Sequence, residues 1–438
     1  MKEIRRLISV AGIAAFFIVF YFLCSKFAQD TRNMSPEEMG INDAGLTSAE
    51  NASFELMLKN HIEANYSADI NISAVGDLMV YDYQLEYAQK GTGFDFTDSF
   101  KYVKPFLTDN NLVIGNLETT IAGPDQNARD KYNGYTGDKD SMTFNTPESF
   151  IDALKASGFN VVVNANEQAL DMGKTGLMNT ITNLDGHGMN HTGTVSGTDS
   201  RRYITRNING INFAILSYTT VMDPGRNEED LQYVNYITGY EDSSVNDLCT
   251  AISDLKSEGT DCVIVYLHDG ETYSSQPSQA QTDLAHKLCD SGADIIFESH
   301  PHVIQPMEVY TTGSNGSRTC IIFYSLGNFL SSQQYQLQNK YDRDLGCVVK
   351  LHMQKDKYGL KIDTVSVLPT YLDWTDDSIR VIPVTEAKDH PERYEGEFDY
   401  LDNARIDPAY EGVIKKITNG TGLTYTYNDL WYHIDISN

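Results

Sequence analysis

Five short apolar runs in this chain each end in acidic, amide or imidazole side chains, and helical stretches alternate with them. "INISAVGDLMV" delivers Asp77, "NLVIGNLETTI" delivers Asn116 and Glu118, and "VVVNANEQ" delivers Asn166, Glu167 and Gln168. "CVIVYLHDGE" delivers His268 and Glu271, and "ADIIFESHPHVIQ" delivers His300 and His302. Runs of this length, rich in β-branched residues, read as buried strands. The intervening segments read as helices. "TPESFIDALKASGFN" places Thr146 as N-cap, Pro147 at the first helical position and Gly158 at the stop. "SQAQTDLAHKLCDSG" opens on a capping box of Ser278 and Gln281 and closes on Gly292. "VNDLCTAISDLKSEG" is amphipathic as well. Strands joined by helices predict an α/β layered domain. Later, "GCVVKLHMQ" and "LKIDTVSVLPTYLDW" alternate as a closing hairpin would, and the tail after about Val384 is polar and weakly patterned.

In open α/β sheets, sites collect at the carboxyl ends of the strands. Singly, each of these residues has a bland explanation. Asp77 after Gly76 would cap a helix, a His-x-His pair at a strand end is more often structural than ligating, and Asn328 in "SLGNF" would make a turn. Keeping all the bland explanations requires five coincidences at equivalent positions. A shared site with carboxylates and imidazoles suits one or two divalent metals, and two metals can clamp both oxygens of a phosphoester displacement.

The N-terminus carries a separate instruction. Lys2, Arg5 and Arg6 precede "LISVAGIAAFFIVFYFLC", Leu7 to Cys24, which holds no charge. A helix spanning the bilayer needs about 20 apolar residues, so the run predicts a transmembrane anchor with its basic end in the cytoplasm and the rest outside. A cleaved signal peptide is the alternative; it calls for small residues near the cut, and "YFLCSKFAQ" has no A-x-A. The expected organisation is residues 1–28 basic end and anchor, 29–69 extracytoplasmic stalk, 70–384 α/β domain, and 385–438 C-terminal extension. Within the stalk, Phe54, Met57, Leu58 and Ile62 have helical spacing.

The formal net charge of -28 over 438 residues argues against nucleic acid, which needs clustered Lys and Arg. Cysteine is sparse: Cys24 lies in the apolar run, leaving five outside it and no C-x-x-C pair. Buried core thiols are the simpler reading, with one disulfide left open.

In their order, "AVGDLMV", "GNLETTIAG", "ANEQALDMG", "YLHDGETY", "GADIIFESHPHVIQPMEVY" and "FYSLGNF" resemble the bacterial capsule synthesis protein CapA family, which includes the poly-gamma-glutamate synthesis component. The resemblance covers about Ile70 to Trp374. It implies a relative of calcineurin-type metallophosphoesterases: a four-layer α/β/β/α sandwich with a dinuclear site for Mn, Zn or Fe. By this resemblance Asp77, Glu118, Glu167, His268, His300 and His302 would be metal ligands, with Glu118 bridging. Met79 stands where those enzymes often have a second histidine. Asn116, Ser325 and Asn328 would hold substrate. The family pattern resembles Ala-Asn-Asn-His-Ala-Leu-Asp, so Glu167 replaces a ligating Asn and Gln168 replaces a His; Ser299 stands where a glycine is usual. Glutamine cannot supply a proton at pH 7, so His268 or Glu271 would have to act in its place, with Gln168 reduced to a hydrogen-bond donor. Three readings follow. One is a membrane-anchored component of capsule or poly-gamma-glutamate-type polymer synthesis or export, partnered by other membrane components and by the anionic polymer. Another is a metal-dependent hydrolase of a phosphoester or an amide. The third is a binding or scaffold module with a degenerate site.

Overall fold

The structure is a computed structural model that describes residues 67–124, 143–197, 201–240, 243–312, 318–333, 342–375, 377–394 and 403–436. The chain divides into two units. One comprises Met1–Ala68 with Lys355–Gly359, and nearly all of it, including the Leu7–Cys24 run and the stalk, lies outside the described residues. Among the described residues no helix is long and apolar enough to cross a membrane. The other unit comprises Asp69–Gln354 with Leu360–Asn438.

Its first part runs β1 (Ala68–Leu78), α1 (Asp82–Ala88), the small hairpin β2–β3 (Gln89–Lys90, Gly93–Phe94), α2 (Lys104–Thr108) and β4 (Leu112–Leu117). Then come α3 (Ser149–Ala156), β5 (Val161–Val163), α4 (Gly173–Gly186), β6 (Asn190–Thr192), β7 (Tyr203–Ile208) and β8 (Ile211–Thr219). The middle holds α5 (Ser243–Ser257), β9 (Cys262–His268), α6 (Gln279–Ser291), β10 (Ile295–Ser299), β11 (Met307–Thr312), β12 (Arg318–Phe323) and β13 (Asn328–Leu330). Last are β14 (Leu345–Asp356), β15 (Gly359–Trp374), β16 (Ile379–Pro383), α7 (Val384–Asp389), α8 (Asn403–Ile417), β17 (Tyr425–Asn428) and β18 (Trp431–Ile434).

This is a mixed α/β fold with two large sheets. One has the order β17-β18-β15-β14-β1-β4-β5-β6, with β13 beside β1 and β16 beside β15; the other runs β11-β12-β10-β9-β8-β7. Four neighbouring strands of each sheet run parallel: β1, β4, β5 and β6 at one end of the first, and β12, β10, β9 and β8 in the middle of the second. Strands buried on both faces need apolar residues at every position rather than alternate ones, and β9 is buried from end to end. Phe150, Ile151 and Leu154 of α3 pack with Val113, Leu117 and Val162 of the first sheet. Val245, Leu248 and Ile252 of α5 and Leu284 and Leu288 of α6 pack with Val263, Val265 and Ile296 of the second. The intervening Tyr266 is also fully buried, and its hydroxyl donates to the Val75 carbonyl of the first sheet at 2.8 Å.

Two local points differ from the simplest expectation. β1 runs through Gly76 and Asp77 to Leu78, so Asp77 lies in a strand and caps no helix. Gly76 is instead where β1 meets the Gly327 turn: a Cβ there would lie 1.8 Å from the Gly327 carbonyl oxygen, which accepts from Asp77 N at 3.1 Å. The α3 N-cap is Glu148 rather than Thr146. Thr146 is drawn back by its amide bond to the Thr120 carbonyl (2.9 Å) and by its hydroxyl contact with Thr119 (2.8 Å). The capping box of Ser278 and Gln281 is formed on α6, and Gly292 closes that helix in the left-handed region. Cys289 of α6 is joined to Cys320 of β12 by a disulfide, while Cys249, Cys262 and Cys347 are free.

Candidate metal centre

The carboxyl ends of β1, β4, β5, β9 and β10 meet in one buried cluster. Asp77 is the penultimate residue of β1 and Asn116 that of β4, Glu118 follows β4 directly, and Glu167 opens the short 3-10 turn after β5. His268 is the last residue of β9, and His300 and His302 follow β10. Asp77 and Glu118 have no exposed surface, and Glu167, His268, His300 and His302 are each buried too. His300 (φ 106°) and His302 (φ 58°) lie in the left-handed region. That conformation costs a non-glycine residue of order 1–3 kcal/mol and clusters at functional sites. Both rings of His-Pro-His are buried in the cluster.

Hydrogen bonds tie the set together. The Asn116 amide donates to Asp77 Oδ1 at 2.8 Å and to Glu118 Oε2 at 3.3 Å, and lies 3.2 Å from His268 Nδ1. His302 Nδ1 sits 3.0 Å from both Asp77 Oδ2 and Asn328 Oδ1. His300 Nδ1 is 3.0 Å from Glu167 Oε1 and 3.2 Å from His268 Nε2. The second Glu167 oxygen lies against His268 Nε2. Ser299 Oγ, 3.1 Å from His268 Nδ1, orients that ring so that Nε2 faces Glu167.

The electrostatics are those of a crowded acid site. Burial alone would raise Asp77, but the hydrogen bond and charge of His302, with His268 and Asn116, bring it down to about 2. Glu118 is pushed well above the usual carboxylate range by burial and by the charges of Asp77 and Glu167. Glu167 goes the other way: burial is outweighed by His268 and His300, which hold it well below that range. His300 is raised, because Glu167 overcomes the effect of burial.

The residues fit a metal. Glu118 Oε1 is a buried carboxylate oxygen with no hydrogen-bond partner, and its nearest ring nitrogen, His302 Nε2, is 3.7 Å away. Three overlapping ligand sets are present: Glu167, His268 and His300; Asp77, Glu118 and His268; and Glu118, Glu167 and His302. Within each, the donor atoms lie within 4.8 Å of one another. Mixed imidazole nitrogen and carboxylate oxygen suits Mn, Zn or Fe.

The remaining sequence candidates fall in different places. Asn116 lies at the heart of the cluster and Asn328 supports His302. Ser325 is buried and its hydroxyl accepts from Gly327 N at 3.2 Å, which braces the turn under β1. The Gln168 side-chain amide lies beside Asp171: oriented with its nitrogen toward that carboxylate, it donates to both oxygens, at 2.9 and 3.0 Å. Asp171 is in turn paired with Arg226. Glu271 is exposed and joins none of the bonds just described. Met79 is buried, with its sulfur 3.9 Å from the Tyr81 hydroxyl. Sequence reasoning gave no role to Ser299, nor to Thr272, whose hydroxyl is 3.1 Å from His300 Nε2. It also passed over Asn166 as a donor set of its own: its amide bonds Asn116 Oδ1 at 3.0 Å, and its Oδ1 is buried without a partner. The signal for Ser299 and Asn166 was present in their position, each next to a ligand at a strand end.

Residues 71–333 match the family model described as bacterial capsule synthesis protein PGA_cap. The chain belongs to this family. Within its reach are two curated relatives. The PGA biosynthesis protein CapA of Bacillus subtilis is 32% identical over 302 residues, covering 67% of this chain and 70% of that one. The capsule biosynthesis protein CapA of Bacillus anthracis is 31% identical over 265 residues, and the match spans 60% of each. Among solved structures, a calcineurin-like phosphoesterase from Bacillus subtilis aligns with 80% of this chain at a TM-score of 0.40 and 15% identity. All the ligand candidates of the cluster lie inside the matched family segment.

Proposed function

We propose that this chain is a component of capsule or poly-gamma-glutamate-type polymer biosynthesis or export that binds one or two divalent metal ions and engages the anionic polymer at them. The observation that carries the reading is Glu118: its Oε1 is a buried acceptor without a donor, and the residue belongs to two of the three ligand sets found among the described residues. On this reading Asp77, Glu118, Glu167, His268, His300 and His302 hold the metal, and Asn116 and Ser299 orient them. The two sheets with their helices form the four-layer α/β/β/α arrangement of the metallophosphoesterases. Leu7–Cys24 anchors the chain, the basic residues before it stay in the cytoplasm, and the α/β unit works outside the membrane beside other components of the polymer machinery.

Bound divalent metal supplies a Lewis acid and an activated water. The chain's own residues limit the chemistry open to the site. Gln168 is committed to Asp171 and has no proton to give, so rapid protonation of a leaving group is not built in; such a donor is worth about 10²–10⁴-fold in rate. Metal-dependent hydrolysis of a phosphoester or an amide is the second reading, favoured by the buried, left-handed His300 and His302.

Elemental analysis of the purified full chain tests the first reading: at least one Mn, Zn or Fe per chain is expected, falling in His300→Ala. Gene deletion should change the amount or length of surface polymer. Less than one metal per chain and unchanged polymer would sink it. Turnover of a generic phosphodiester with Mn²⁺, lost in His300→Ala, would select the hydrolase. Metal-free, fully folded protein would instead indicate a scaffold.

A further inference from the structure

Each of the two large sheets ends in a strand with no further strand partner among the described residues: β6 closes the first and β7 the second. A cavity of about 410 Å³ is lined by both, a volume within the range of ligand pockets. β6 contributes Asn190, His191 and Thr192 to its wall, β7 contributes Tyr203 and Ile204, and Asp185 of α4 borders it.

Two arginines attend this cavity in a chain of net charge -28. Arg201 lines it, is exposed, and stands 5.2 Å from the centre of the Tyr203 ring. Arg206 Nη1 donates to Asn190 Oδ1 at 3.0 Å, so it lies toward the start of β6. The two stand up to about 17 Å apart along the chain. The acid in the wall, Asp185, is engaged by His191 Nε2 at 3.3 Å. That pairing puts the ring proton on Nε2 and leaves His191 Nδ1 as an acceptor, buried and without a hydrogen-bond partner.

The cavity is fastened to the metal centre. Thr194, in its wall, exchanges two bonds with Asn164: the Asn164 amide donates to Thr194 Oγ1 at 2.8 Å, and Asn164 Oδ1 accepts from Thr194 N at 3.1 Å. The ligand Glu167, on the same loop as Asn164, is at most about 11 Å further along the backbone. An occupant that suits the wall brings carboxylates for the arginines. It also brings amide groups for the strand edges and a donor for His191 Nδ1. An amide-linked polyacid carries all of these along its length, and extended peptides dock on strand edges in the same manner. We propose that the cavity between β6 and β7 is a second binding site, which holds one segment of an amide-linked, carboxylate-bearing polymer while a neighbouring segment lies at the metal centre. The proposal rests on the reading of the chain as one that engages an anionic polymer, and adds to it a site and a linkage class.

The test is calorimetry on the full chain loaded with Mn²⁺. The probes are γ-glutamylglutamate, a γ-glutamyl chain of about ten residues, long enough to bridge both places, and polygalacturonate of similar length as the sugar-linked comparison. Wild type is compared with Arg201→Gln and with Ser196→Trp, which fills the cavity from its exposed rim. Metal content is measured on each. Linking two sites raises affinity well beyond that of either alone, so wild type should hold the long chain at least about tenfold tighter than the dimer. Each variant should remove most of that gain while metal content and dimer affinity stay within about twofold. Arg201→Gln, at an exposed position, carries the test if Ser196→Trp does not fold. Long-chain affinity within about twofold of wild type in both variants overturns the proposal and leaves the metal-site reading standing. Wild type that holds the dimer as tightly as the long chain, or polygalacturonate as tightly as the γ-glutamyl chain, also overturns it. A grip on the long chain that needs Arg201 and keeps its full strength in chelator supports the cavity and defeats the metal-site reading instead. Wild type that binds none of the probes defeats both.

Discussion

Glu118→Gln should stabilise the metal-free protein and abolish its response to metal. Glu118 is wholly buried, one of its oxygens has no donor, and burial and two neighbouring carboxylates raise it well above the ordinary range. An acid raised in the folded state costs stability above its unfolded pKa, and the cost is relieved as pH falls. An unsatisfied buried group costs about 1–3 kcal/mol, more when charged. The glutamine keeps an oxygen for the Asn116 amide, now 3.3 Å from Glu118 Oε2. Its NH2 replaces the orphan oxygen and can donate to the surrounding carboxylates. For a unit of this size roughly 1 kcal/mol moves Tm by about 1 °C, so at pH 7.5 in chelator the variant should melt roughly 1–4 °C above wild type. The gap should narrow toward pH 5. Metal at 1,000 times its Kd adds about 4.1 kcal/mol, so wild type should gain roughly 4–5 °C with Mn²⁺ and the variant little. Scanning calorimetry with and without metal at both pH values measures all four states. A variant that melts below wild type in chelator, or that keeps the full metal shift, would refute the assignment of Glu118 as a strained ligand.

Metal affinity should fall as pH drops from 8 to 6, because protons compete at Glu118 and His300, both raised; titrations in two buffers of different ionisation enthalpy should show proton release, and pH-independent affinity would contradict this. Gly76→Ala drives a Cβ to 1.8 Å from the Gly327 oxygen; expect a loss of more than about 3 kcal/mol in urea melts, as for other severe backbone conflicts. Reducing the Cys289–Cys320 bond, which closes a 31-residue separation, should cost about 3–4 kcal/mol on loop entropy, read as a lower melting temperature in reductant. Gln168→His places an imidazole within reach of Asp171, which would hold its tautomer; phosphodiester turnover of the Mn²⁺-loaded chain should then rise at least about tenfold, and no rise counts against a missing proton donor.

The site was readable from sequence to the extent that strand ends are readable. Asp77, Glu118, His268, His300 and His302 sit at or just after apolar runs, and parallel strands buried on both faces can end together. Glu167 was placed the same way, one residue beyond the "NAN" that follows Val163. The direction of Gln168 was not readable, because it depends on the 3-10 turn Glu167–Leu170, which sends neighbouring side chains to different sides. The left-handed φ of His300, His302 and Tyr273 carries no composition signature. The C-terminal tail looked unpatterned, yet β17 and β18 form a hairpin on β15. Its two-residue turn, Asp429–Leu430, has positive φ at both positions, the geometry usually marked by Asn-Gly or Asp-Gly. With leucine in the second place, the mark was absent. The tail's second contribution, the grip of Arg405 on Asp344, pairs residues 61 apart in sequence and leaves no local trace.

A net charge of -28 is an unfavourable field for an anionic polymer, and the local arrangement bears on how it could be overcome. Repulsion between exposed charges is screened beyond about 10 Å at 0.1 M salt, so the distant acids set the rate of approach more than the strength of binding. Close contact is decided by the groups at the site. There Asp77, Glu118 and Glu167 contribute negative charge that one or two divalent ions would neutralise. Two consequences separate this account from simple electrostatic adsorption. Polymer affinity should collapse in chelator although the net charge barely changes, and it should depend weakly on salt, because charge held in a buried cluster is screened far less than a surface lysine. Binding that survives chelator and falls steeply with salt would place the polymer on the outer surface and away from the cluster.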